Sequence, residues 1–326
     1  LPFCVCAGGL LAVAEFDLIA KYFTRQAEAD LGVGDDAALI SMRPGYQLAV
    51  SADMSVSGTH FFADAQPYAI GWKSMAVNIS DMAAMGAEPK WATLSIALPN
   101  VDHGWLRGFS DGLFACADAF GVSLVGGDTT RGPLNIAINI MGELPCGQAL
   151  RRDGAQVGDD VWVSGCLGQA ALWLQSQLGH LDLSAEDIRM LAQAMHHPQP
   201  RVSLGLALRG VASAALDVSD GLLADLNHIL QASKVGAELE WPAIPQPVVQ
   251  STVDEHAWQQ AVLAGGDDYE LCFTAAPQHR QALLALSQQL DLPLSRIGKI
   301  TATAGLRILN GQPSIDLSSK GYSHFV

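Results

Sequence analysis

Residues 134–144, LNIAINIMGEL, alternate without a break: Leu134, Ile136, Ile138 and Ile140 fall on one face, Asn135 and Asn139 on the other. A period of two over this length is the pattern of a half-buried β-strand. Upstream, YAIGWKSMAVNISDMAAMGAEPK (68–90) changes period. Met75, Ile79 and Met82 share an apolar helical face, Asn78 and Asp81 fall together three apart, and Gly86 followed by Pro89 stops the helix. Further strands are read at 30–40 (DLGVGDDAALI, broken by its acid turn), 46–56, 91–98 and 122–127, with helices at about 15–24 and 105–120. A Gly-, Pro- and charge-rich connection follows at 142–160. Beyond it, VWVSGCLGQAALWLQSQL is strand, glycine turn and helix, and a proline loop at 196–201 leads into another helix. AALDVSDGLLADLNHIL passes from strand to helix through an acid turn; a strand at 269–275 and a helix near 278–290 complete the pattern. Strands and helices mixed in both halves predict two α/β or α+β domains of mixed sheet, 15–148 and 149–326, behind an apolar leader at 1–14.

Composition supplies the material and removes some partners. Apolar residues make up 49% and charged residues 16%, enough for two cores. The formal charge of −15, from 18 basic and 33 acidic side chains, argues against a nucleic-acid partner, which needs clustered Lys and Arg. The cysteines at 4, 6, 116, 146, 166 and 272 form no C-x-x-C, so reduced thiols and no zinc are expected. LPFCVCAGGLLAVA loosely resembles a signal-peptide core but has no basic n-region and is too short to span a bilayer. It is read as a non-native or mis-started extension, and a cytoplasmic location without membrane contact is expected.

Six acidic knots lie beside small residues: GVGDDAAL (32–39), LAVSADMSV (48–56), VNISDMAAMG (77–86), LVGGDTTRGP (124–133), LDVSDGLLADL (216–226) and GGDDYEL (265–271). Glycine turns let backbone amides approach a ligand closely, and aspartate supplies the hard oxygen that suits Mg²⁺. If the knots converge, like charges about 4 Å apart cost roughly 4 kcal/mol at an effective dielectric near 20. Divalent ions relieve that repulsion, and ions with glycine turns point to phosphates. No G-x-x-x-x-G-K-[ST] and no H-R-D-x-x-x-x-N with D-F-G occurs. GCLG (165–168) is read as a packing turn in preference to a phosphate loop. Residue chemistry alone reaches a Mg²⁺- and phosphate-dependent enzyme.

The motifs GVGDDAAL, VSADMSVSGTHF, WKSMAVNISDMAAMGAEP, LVGGDTTRGP, LDVSDGLLADL, GGDDYELCF and KGYSHF, in this order from about Glu15 to the C-terminus, resemble those of the thiamine-monophosphate kinases. That family belongs to the aminoimidazole ribonucleotide synthetase-like superfamily. The resemblance implies a homodimer paired through N-terminal strands, with ATP bound outside any P-loop. It implies phosphorylation of thiamine monophosphate to thiamine diphosphate; direct in-line transfer of the γ-phosphoryl group, without a phospho-enzyme, is expected for such an acceptor. Several Mg²⁺ ions would lie on Asp36, Ser51, Asp53, Asp81, Asp128 and Asp217, with Asp220 as a further ligand. Gly127, Asp128, Arg152 and Ser219 would border ATP; His60, Asp267 and Tyr322 would contact the thiamine phosphate. No catalytic residue is expected beyond these ligands, because the acceptor phosphate, with a second pKa near 6, needs no strong base.

Two positions depart from the family pattern: Ala52 stands where a hydroxyl residue is common, and Asp267 where GGEDYE has Glu. Bland readings stand beside several residues. Asp35 is a surface acid, His60 a satisfied turn histidine, Tyr322 a tail aromatic, Asp225 and His228 a solvated or capping pair, and Arg151 competes with Arg152. The rival functions are a selenophosphate or purine-pathway synthetase, and a silent Mg-nucleotide-binding homologue.

Overall fold

A computed structural model describes residues 15–309 of the 326-residue chain; the leader and Tyr322 lie outside the described residues. The first half runs α1 (Glu15–Leu18, continued by a π-turn), β1 (Tyr46–Val56), α2 (Pro67–Ala84), β2 (Glu88–Leu98), α3 (His103–Phe120), β3 (Ser123–Arg131) and β4 (Asn135–Pro145). Its strands order as β1-β4-β2-β3, antiparallel except for the β2–β3 pair.

One face of this sheet is apolar and α2 and α3 cover it. Ile136, Ile138 and Ile140 of β4 meet Met75, Ile79 and Met82 of α2 and Phe109 and Leu113 of α3, all essentially inaccessible. Burying each such side chain stabilises the fold by about 2 kcal/mol. The two helices touch backbone to backbone. A Cβ at Gly71 would meet the Phe109 carbonyl at 2.1 Å, and one at Gly112 would meet that of Tyr68 at 2.0 Å. Asp102 caps α3 by accepting from the Gly104 and Trp105 amides.

The second half continues β5 (Asp160–Ser164), α4 (Gln169–Gln177), α5 (Ala185–His196), α6 (Val202–Ala207), β6 (Ala212–Asp217) and α7 (Leu222–Ser233). It ends with β7 (Gly236–Glu240), α8 (Glu255–Ala264), β8 (Leu271–Ala275), α9 (Arg280–Leu290), β9 (Leu294–Thr301) and β10 (Gly305–Leu309). These strands order as β10-β7-β9-β5-β8-β6, antiparallel except for β10–β7. Both faces are covered. Val161, Val163 and Leu216 pack with Leu222, Leu226 and Ile229 of α7. On the other face, Trp162, Ala215 and Phe273 pack with Leu204, Leu208 and, from the first half, Ala83 and Ala84. The helix α2 therefore belongs to both cores. It is tied to the second half at both ends, Trp72 donating to the Pro198 carbonyl and Arg209 to that of Gly86.

Two sequence expectations change. Residues 30–40 form no strand; the Leu31–Leu39 bridge folds the segment back on itself around Gly34, leaving Asp35 and Asp36 exposed in a loop. The segment 124–131, expected to leave its strand at a turn, stays paired with β2 to Arg131, through a bulge opposite Ala92 and Thr93. Gly127 makes this possible at φ +150°, where a Cβ would lie 1.8 Å from the Leu94 carbonyl. Among the described residues no helix is long and apolar enough to cross a membrane.

Candidate functional site

The C-terminal half of α2 carries Asn78, Ser80 and Asp81, which fan out around the helix toward three neighbours. Asn78 accepts from the Asp53 amide at 3.1 Å and donates to the Ser74 carbonyl at 2.9 Å. Asp81 accepts from the Ser51 hydroxyl at 2.5 Å, and Ser80 donates to Asp217 Oδ2 at 2.6 Å. Residues on β1, α2 and β6 thus meet along one helix. They open on a cleft of about 510 Å³, whose lining includes Ser51, Asp81, Arg152 and Asp217.

The acids there are held against their own charge. Burial, with Asp81 next, raises Asp217 to about 7. Asp53 is exposed, yet the protein crowded around its carboxyl, together with Asp81 and Asp220, raises it to about 6. Burial also raises Asp81, opposed by the Ser51 hydroxyl and the charge of Arg152. Arg152 is thereby distinguished from Arg151, which forms an exposed two-pronged pair with Asp153. Carboxylates that resist ionisation beside one another suit hard divalent cations, so the donor chemistry fits Mg²⁺. Among the described residues no three such groups already stand at ligating distance.

The loop after β6 adds Ser219 and Asp220. Asp225, from the first turn of α7, accepts from the amides of Ser219, Asp220 and Gly221 and so shapes the loop. Asp267 sits across from it at φ +69°, its amide donating to the Ser219 carbonyl. Its carboxylate receives the Tyr269 hydroxyl at 3.0 Å and the Lys73 ammonium at 2.9 Å. The Tyr269 phenol is raised by burial first, then by Asp267, with smaller contributions from the charges of Asp53 and Asp217. His60 lies in the turn after β1, where its Nδ1 accepts from the Val56 amide at 3.0 Å.

The convergence is incomplete. Ser51, Asp81, Arg152 and Asp217 share the cleft, and the charges of Asp81 and Asp220 act on Asp53. Asp36 stays in its exposed loop. Asp128 lies on the other side of the first sheet. The row Asp53–Ile138–Leu94–Gly127 faces the helices, whereas the next row, Met54–Ala137–Ser95–Asp128, faces outward. Ala52, opposite Asn139, shares that outer face, so a hydroxyl at 52 would point away from Asp81. GCLG is occupied internally, since the Gly168 amide donates to both oxygens of Asp268.

Sequence reasoning passed over Lys73, Ser80 and Tyr269. Ser80 is fully buried in a helix, and Lys73 is a cation within a largely apolar run; that mismatch with their surroundings was the available signal.

Two family descriptions match: AIR synthase related protein, N-terminal domain, over residues 34–144, and AIR synthase related protein, C-terminal domain, over 156–309. The chain is 43% identical to the thiamine-monophosphate kinase of Salmonella typhimurium, covering 97% of this chain and 99% of that protein. It is similar to the crystal structure of thiamine-monophosphate kinase from Stenotrophomonas maltophilia, with TM-score 0.83 and 46% identity over 92% of this chain and 97% of that one. It is also similar to AaThiL complexed with AMPPCP and TMP, with TM-score 0.74 and 27% identity over 98% and 99%.

Proposed function

Because this chain belongs to the thiamine-monophosphate kinase family and carries both AIR synthase related domains, we propose that it converts thiamine monophosphate and ATP to thiamine diphosphate and ADP by direct in-line transfer. The observation that carries the site reading is the position of Asp81, between the Ser51 hydroxyl and the raised Asp217 carboxyl, with Arg152 beside it.

In this reading Mg²⁺ would be held by Asp53, Asp81 and Asp217 with Ser51 and Asp220, while Asp36, from its exposed loop, and Asp128, from the outer face of the sheet, would contribute from outside that group. Bound there, the ions neutralise phosphate charge and align donor with acceptor. Arg152 and Ser219, with Gly127 and Asp128, border the nucleotide. His60, Asp267 and Tyr322 hold the acceptor. The acceptor phosphate is mostly dianionic at neutral pH, with its second pKa near 6, so the protein's task is to position it, and no side chain need remove a proton.

A homodimer is part of the proposal. Its support is the outer face of β1, where Leu48, Val50 and Met54 are exposed on a strand at the sheet's edge. Asp128 shares this face and is assigned a contribution across the pairing of two copies. The division into domains is proposed at 148/149, between β4 and β5. A cytoplasmic location is proposed from the dependence on ATP.

Incubation of the purified protein with ATP, Mg²⁺ and thiamine monophosphate tests the reading. Thiamine diphosphate is expected to appear in step with ADP and to be lost with a chelator. ATP binding with no ADP release would instead point to a silent nucleotide-binding homologue.

A further inference from the structure

The site gathers acids, yet both of its substrates are anions, so a fixed cation on the acceptor side is conspicuous. Lys73 is on α2, seven residues before Ser80. Seven residues return to within about 20° of the same helix face, roughly 10 Å further along the axis. Both side chains therefore reach toward the second half, Ser80 to Asp217 and Lys73 to Asp267. One stripe of α2 spans the acidic cluster and the loop assigned to the acceptor. Tyr269 stands at the acceptor end of that stripe, its hydroxyl donating to Asp267.

The Lys73 side chain is only 15% exposed; its ammonium forms an ion pair with Asp267 Oδ1 at 2.9 Å and donates to Met195 Sδ at 3.1 Å. An ammonium has three donors. Sulfur is a weak acceptor, and the third N–H meets no acceptor among the described residues. Asp267 also fixes where the charge sits. It is held at positive φ by the Ser219 carbonyl and accepts from Tyr269, so it anchors the ammonium at the edge of the cluster.

We propose that Lys73 binds the phosphate of the acceptor, its ammonium bridging Asp267 and a phosphate oxygen. The inference rests on the activity assigned above and adds a residue to it. Lys73 recognises the phosphate and contributes nothing to recognition of the thiamine rings.

Calorimetric titration with thiamine monophosphate and with thiamine, in the presence of Mg²⁺, separates the possibilities. Wild type is expected to prefer the phosphorylated ligand by about tenfold or more, the worth of a charge-assisted hydrogen bond. Lys73→Met is expected to lose that preference while binding thiamine as wild type does. Lys73→Arg, which keeps the charge beside Asp267, is expected to retain most of it and serves if the Met variant does not fold. Equal weakening of both ligands in Lys73→Met, or an unchanged preference, would overturn the role of Lys73. Failure of wild type to bind either ligand would overturn the activity reading itself, and this inference with it.

Discussion

Ser80 on α2 donates a 2.6 Å hydrogen bond to Asp217 at the end of β6, and the two residues are 7% exposed or less. This bond joins α2 to the second sheet at the cleft and keeps a buried carboxyl partly satisfied. Ser80→Ala would leave Asp217 without that donor, at a cost of about 1–3 kcal/mol. The expected outcome is a lower unfolding temperature and a several-fold weaker Mg²⁺ requirement curve, read by thermal denaturation and by rate against Mg²⁺ concentration.

The raised acids give the metal-free protein an unusual pH dependence. Asp217 at about 7 and Asp53 at about 6, against 3.8 for the ordinary carboxyl, mean that the folded state binds protons more tightly than the unfolded one. Their contribution is therefore favourable to folding at low pH and is lost as pH rises from about 4 through 7. Unfolding temperature in chelator should fall over this window from these groups, Asp217→Asn should flatten the fall, and added Mg²⁺ should oppose it. A chelated wild type and an Asp217→Asn variant with the same pH profile would contradict the assignment.

Arg152 and Arg151 are adjacent but differently engaged. Arg152→Met should lower kcat/KM for ATP by about tenfold or more, through loss of a charge beside Asp81 and the phosphates. Arg151→Met breaks only an exposed pair with Asp153 and should change the rate by less than about twofold. Steady-state kinetics on the two variants measures the contrast.

The opposed faces of Asp53 and Asp128 make a test of the homodimer. Asp53→Asn and Asp128→Asn should each abolish turnover without unfolding the chain. If Asp128 serves across the pairing, unfolding and refolding the two variants together should restore up to about a quarter of wild-type activity, since half of the dimers are mixed and each has one intact site. Mixtures as inactive as either parent would remove the shared site.

Much of the architecture was legible in the sequence because its signals are local. The Ile136–Ile138–Ile140 alternation and the Met75–Ile79–Met82 stripe report burial directly, and each lies where the two elements meet. The acid knots at Asp53, Asp81 and Asp217 were legible as carboxylates beside small residues, and those residues do approach one another. What escaped depends on distant partners. Gly127 reads as a turn residue, but pairing with β2 keeps it in a strand and sends Asp128 to the outer face. The loop at 30–40 has strand-like composition, and its bridge is made within the segment itself, so no neighbouring strand extends it. Lys73 and Asp267 are 194 residues apart, and nothing near either one announces the ion pair.

The most direct measurement is calorimetric titration of AMPPCP onto wild type and Asp81→Asn, each with Mg²⁺ and with chelator. Wild type should bind the nucleotide with Mg²⁺ and lose it in chelator, and Asp81→Asn should bind at least about tenfold more weakly with Mg²⁺. Equal affinity in all four titrations would contradict a metal-and-phosphate role for the acidic cleft.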